Sequence, residues 1–165
     1  MSYLSHYLLS MDITYLKGDA TKPVGSGNKI IVHVCNDIGG WGKGFVMAIS
    51  KRWPGPEQEY RQWHKSRHGF ALGQVQLVQV EPDVWVANMI GQHKVYKDEQ
   101  GNPPIRYEAI RDCLQKVAVL AQENEATVHM PRIGCGLAGG TWDKIEPIIA
   151  DELVEKGIGV NVYDF

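Results

Sequence analysis

The stretch that most constrains the fold is residues 29–35 (KIIVHVC), which is nearly all apolar. A run of this kind reads as a strand buried on both faces, the pattern of a partly parallel sheet. The surrounding segments must therefore cover that sheet. At 165 residues the chain has the length of one domain, which buries roughly 70% of its unfolded surface without a staple.

The other elements follow from periodicity and punctuation. Residues 13–17 (ITYLK) are β-prone and stop at Gly18-Asp19. Residues 45–53 suit a helix until Pro54, and 56–67 can restart behind Pro56 in a first turn, giving two short helices or one kinked helix. Residues 73–80 alternate polar and apolar, the mark of a strand with one wet face near an edge, and 84–90 form another strand. The polar stretch 91–104 reads as an exposed, mobile loop able to cover a ligand. Ile110, Leu114, Val117, Ala118 and Ala121 recur at helical spacing, so 105 to about 123 is an amphipathic helix. A short strand at 127–130 follows, then a helix capped by Thr141 and running to Lys156, and a last strand at 158–165. The order β, β, α, α, β, β, α, β, α, β predicts an α/β fold, a three-layer α/β/α sandwich around a mixed central sheet. Residues 11–165 form the single domain, and 1–10 are an extension or an extra edge strand.

Two strand-to-helix connections are rich in glycine, residues 36–44 and 134–140. Glycine lets the backbone approach a ligand, and amides at a following helix start attract anions, so both loops read as anion cradles. Neighbouring cradles suit a diphosphate-bridged ligand. Gly134 to Gly139 formally matches G-x-G-x-x-G, yet too little chain follows it for a Rossmann unit. A Walker A loop fails as well, because Gly44 follows Lys43 where Ser or Thr is required. The formal charge of −2 argues against a broad nucleic-acid footprint. No apolar run is long enough to span a membrane, no signal peptide is visible, and three distant cysteines fit reduced thiols in the cytoplasm.

The chain resembles the macrodomains that bind ADP-ribose over residues 13–165. The resemblance is carried by Gly18-Asp19-Ala20-Thr21, by His33-Val34-Cys35-Asn36 with Gly40-Trp41-Gly42-Lys43-Gly44, by Met130 through Leu137, and by Val160-Asn161-Val162-Tyr163. It is similar to a subgroup that includes terminal ADP-ribose protein glycohydrolase and a fungal ADP-ribose-1''-phosphate phosphatase. The resemblance implies that Asp19 accepts from the adenine amino group beside Ala20, and that Asn36 holds the distal ribose. Gly40, Trp41, Gly42, Lys43 and Gly44 would line one side of the diphosphate. Ile133, Gly134, Cys135, Gly136 and Leu137 would line the other, and Tyr163 would pack on adenine. It implies no cofactor. His33 and Asn36 are the candidate catalytic residues, because phosphatase-like members resemble this chain at the His-x-Cys-Asn run. Apart from the resemblance, His33 reads first as a core histidine satisfied by a backbone partner. His33, Cys35, His129 and Cys135 match no zinc spacing, so no metal is expected.

Two positions depart from the glycohydrolase pattern: Ala138 stands where an aspartate would, and Gln92 where a lysine would. Neither side chain can act as nucleophile or general acid or base. Three readings follow: an ADP-ribose-binding module for the free nucleotide or an ADP-ribosylated partner, a hydrolase removing a 1''-phosphate at the distal ribose, and an unrelated nucleic-acid binder disfavoured by charge. De-ADP-ribosylation through a non-standard site is a further alternative. The oligomeric state is not legible.

Overall fold

The computed structural model describes residues 12–165, and the expected N-terminal extension lies outside the described residues. Six strands form one sheet: β1 (Thr14–Lys17), β2 (Asn28–Asn36), β3 (Val75–Glu81), β4 (Val84–Gln92), β5 (Ala126–Met130) and β6 (Val160–Asp164). They lie in the order β1-β6-β5-β2-β4-β3. Every neighbouring pair is parallel except β3 with β4. The apolar run of β2 thus sits between β4 and β5, where both its edges are hydrogen-bonded and both its faces are covered.

Alternation along β2 divides its side chains between two cores. Ile30 and Val32 join the core under α3 (Tyr107–Glu123) and α4 (Trp142–Glu152), while Ile31 and Cys35 join the core under α1 (Phe45–Arg52) and α2 (Gly55–Ser66). The three-layer expectation therefore holds. Between α1 and α2 the chain breaks, because Pro54 disfavours helical geometry in the residue before it and Trp53 is extended at φ −141° and ψ 125°. These are two helices, not one kinked rod.

Local differences have local causes. The helix expected to reach Lys156 ends at Glu152 and gives way to a 3-10 turn at Val154–Lys156, closed by Gly157 at φ 79°. Thr141 occupies the residue before α4 in extended geometry, but its hydroxyl caps nothing. The segment expected to be a mobile loop is anchored at both ends. Gln92 bridges to Ile105, the His93 amide donates to the Pro104 carbonyl at 2.8 Å, and Asp98 accepts from the Gln100 and Asn102 amides at 2.9 and 2.8 Å.

Candidate functional site

Because five strands run parallel, their carboxyl ends form one row. The connection after β1 carries Asp19, those after β5 and β2 carry the two glycine loops, and that after β4 carries His93. Ligands of open α/β sheets bind beyond such ends. From β1 to β4 the row spans four strand spacings, about 19 Å.

At one end Gly18 closes onto the sheet through its amide and the Asp164 carbonyl at 2.9 Å. Asp19 Oδ1 accepts from the Thr21 amide at 2.8 Å and the Thr21 hydroxyl at 2.7 Å. Partial burial raises the Asp19 pKa, but the two bonds from Thr21 together with the Lys22 and Arg52 charges hold the carboxyl below the usual carboxylate range. Asp19 is thus a fixed anion with Oδ2 free of donors among the described residues. Ala20 is buried. Tyr163, expected as a platform, is only 4% exposed. The Val24 amide donates to its hydroxyl at 3.0 Å. Because Thr127 gives its hydroxyl hydrogen to the Asn28 carbonyl at 3.4 Å, His129 Nε2–H donates to Thr127 at 2.7 Å and Nδ1 of the neutral ring accepts from the Tyr163 hydroxyl at 2.8 Å. That chain of bonds braces the floor under the 18–24 loop.

In the middle, the 37–41 loop is held from beneath. Asn36 Oδ1 accepts from the amides of Ile38 and Gly40 at 3.0 and 2.9 Å, and its Nδ2 donates to the Gly40 carbonyl at 2.9 Å. The Tyr60 hydroxyl, from α2, reaches the Asn36 carbonyl at 2.6 Å and Oδ1 at 2.9 Å. Arg61 donates to the carbonyls of Gly39 and Trp41. Trp41 turns its indole into the second core and donates to Ser50 at 2.7 Å, so only its backbone serves the loop. Gly42, Lys43 and Gly44 are exposed.

Across the cleft, the second loop divides its glycines between structure and access. Gly134 sits at φ 73°, and a Cβ there would come within 2.5 Å of Ile105 Cδ1. Its carbonyl accepts from the Gly140 amide at 2.7 Å, which closes the turn. Gly136 is different: its φ is ordinary for any residue, and nothing lies within 4 Å of a Cβ built on it. Gly42 faces the same kind of open space. Leu137 is exposed and bridges the loops, with Cδ1 3.4 Å from a Cβ placed on Gly44. Ile133 is buried and Cys135 half-buried, with burial pushing its thiol pKa up. Ala138 points into the first core, and its carbonyl accepts from the Ile105 amide at 3.0 Å.

His33 lies under this floor, not in the cleft. It is 2% exposed and packs edge-on against Trp41. Asn88 Nδ2 donates to Pro56 and Gln76, which orients its Oδ1 toward His33 Nε2 at 2.6 Å and makes that nitrogen the donor. Burial drives the His33 pKa down to about 4, against a small upward pull from Asn88. His33 and His129 belong to separate networks and share no common ligand position. The residue that sequence reasoning passed over is His93, because the signal for it is a contact with Asp37, 56 positions away.

A family profile described as Macro domain matches residues 32–149, the segment from β2 through α4 that builds both loops. The chain belongs to the macrodomain family. A solved structure of a protein of unknown function from Bacteroides thetaiotaomicron is 62% identical, with TM-score 0.94, over 94% of this chain and 99% of that one. Among curated relatives, the chromodomain-helicase-DNA-binding protein 1-like of Mus musculus is 30% identical over 94% of this macrodomain, which spans only 18% of that protein's length. An ADP-ribose 1''-phosphate phosphatase from Candida albicans is 27% identical over 84% of this chain and 92% of its own.

Proposed function

We propose that this macrodomain binds ADP-ribose, free or attached to another molecule, along the row of carboxyl ends, and hydrolyses the bond at the distal ribose. The observation that carries the reading is the pair of glycine loops meeting at Gly44 and Leu137 while Gly42 and Gly136 face open space. In this reading Asp19 takes the adenine amino group and the two loops enclose the diphosphate. Asn36 offers its second Nδ2 hydrogen to the distal ribose. His33, removed from solvent, supports the loop through Trp41. The Candida relative's activity on a 1''-phosphate supports hydrolysis at that end of the ligand. The unit is residues 11–165, acting in the cytoplasm, where three free cysteines stay reduced. No helix among the described residues is long and apolar enough to cross a membrane.

A non-catalytic reader is the second reading, favoured by Gln92 and Ala138. Calorimetry with ADP-ribose gives a one-to-one complex that Gly136→Glu abolishes, since the added side chain and its charge fill the cradle from a position where a Cβ meets no protein atom within 4 Å. Absence of binding by the wild type overturns the reading. Release of phosphate from ADP-ribose-1''-phosphate, or of ADP-ribose from modified protein, separates enzyme from reader.

A further inference from the structure

Chemistry at the distal ribose has to come from the β2–β4 end of the row, opposite Asp19. Neither Gln92 nor Ala138 can move a proton there. Asp37, the first residue after β2, crosses to the segment after β4 and holds it at two points. Its Oδ2 accepts from His93 Nδ1 at 2.7 Å, and its Oδ1 accepts from the Lys94 amide at 2.8 Å. The His93 amide is bonded to Pro104, so ring and backbone are both fixed. Lys94 adopts φ 58°, a conformation uncommon outside glycine, and does so where Asp37 captures its amide.

With Nδ1–H donated to the carboxylate, a neutral imidazole keeps its lone pair on Nε2. That side chain is 43% exposed, while Asp37 is 17% exposed. Asp37 from the β2–α1 loop is the charged group bonded to the ring; Lys94 follows His93 in the chain, and Arg106 lies two residues past the Pro104 that holds the His93 amide. The Arg106 guanidinium is occupied by the carbonyls of Pro103, Pro104 and Ile105. The other described histidines lack this arrangement. His33 and His129 are buried, His64 packs against Phe70, and His68 lies in the turn after α2.

We propose that His93, oriented by Asp37, is the general base that delivers water to the anomeric carbon of the distal ribose. The inference rests on the ADP-ribosyl reading of the cleft. Nε2 takes a proton from water as the water oxygen bonds to that carbon. The carbon–oxygen bond to the leaving group breaks, and its electron pair departs with phosphate or carboxylate. Asp37 stabilises the imidazolium, which then releases its proton to solvent. A stable oxyanion leaves unprotonated, so one base suffices and no aspartate at position 138 is needed.

The test uses the full chain with ADP-ribose-1''-phosphate and, separately, an ADP-ribosyl glutamate ester. His93→Asn keeps an N–H for Asp37 and removes Nε2. It lowers kcat by about 10²- to 10⁴-fold, the range for loss of a general base, with KM little changed. Asp37→Asn lowers kcat by at least about tenfold. In ¹⁸O-water the released phosphate or carboxylate carries no label, and label there overturns attack at the anomeric carbon. Wild-type activity retained in His93→Asn, or ADP-ribose binding by the wild type without turnover of either substrate, overturns the base and leaves the binding reading standing. Failure of the wild type to bind ADP-ribose overturns the cleft itself.

Discussion

At the scale of single residues, the two buried histidines couple stability to pH. Burial lowers the His33 pKa from 6.5 to about 4, and His129 also falls to about 4, with burial the larger cause and Lys29 the lesser. A histidine depressed by folding binds its proton more readily in the unfolded chain, so its stabilising contribution is full above pH 6.5 and is lost as pH falls toward 4. For His33 the loss is about 3 kcal/mol across that window. Urea unfolding at pH 7 and pH 4.5 should show this drop, and His33→Gln, which can still donate to Asn88, should flatten part of it. The two kinds of glycine make a second contrast. Gly134→Ala forces a positive φ and a 2.5 Å approach to Ile105, and should cost about 1–3 kcal/mol in thermal unfolding. Gly136→Ala has no such conflict and should stay within about 0.5 kcal/mol.

At the scale of elements, α2 works as a clamp on the loop after β2. Tyr60 is fully buried, burial raises its hydroxyl pKa, and that hydroxyl reaches both the Asn36 carbonyl and side chain. Tyr60→Phe takes the hydroxyl donor from the Asn36 carbonyl inside the protein, a cost of about 1–3 kcal/mol, while Oδ1 keeps the Ile38 and Gly40 amides. The same change frees the 37–41 loop, so ADP-ribose affinity measured by calorimetry should fall along with the melting temperature. Affinity unchanged while stability drops would mean that the loop keeps its shape without the clamp. The break between α1 and α2 at Pro54 is what permits this, because a continuous helix would carry Tyr60 and Arg61 away from the loop. Proline announced a break in the sequence, but which residues it would bring under the loop was not readable there.

At the scale of the whole molecule, ligand binding and folding are linked. If ADP-ribose binds only the folded chain, a concentration a hundredfold above its dissociation constant adds about 2.7 kcal/mol of stability. That amounts to a rise of roughly 5–10 °C in melting temperature for a domain of this size, and Gly136→Glu should lose the rise while keeping the unliganded value. What the sequence determined by itself is the local and periodic part. An apolar β2 demanded cover on both faces, the alternation of strands and helices set the layers, and glycine runs marked the loops after two strands. These signals are short-range and need only neighbouring residues to express them. Tertiary structure decided what depends on contacts between distant segments. It turned Trp41 and Tyr163 into braces, put Asn36 to work holding its own loop, and sank Ala138 into the core. It sealed His33 between the sheet and the α1 layer and joined Asp37 to His93. Strand pairing sets which chain ends become neighbours, and no periodicity along the chain encodes that choice.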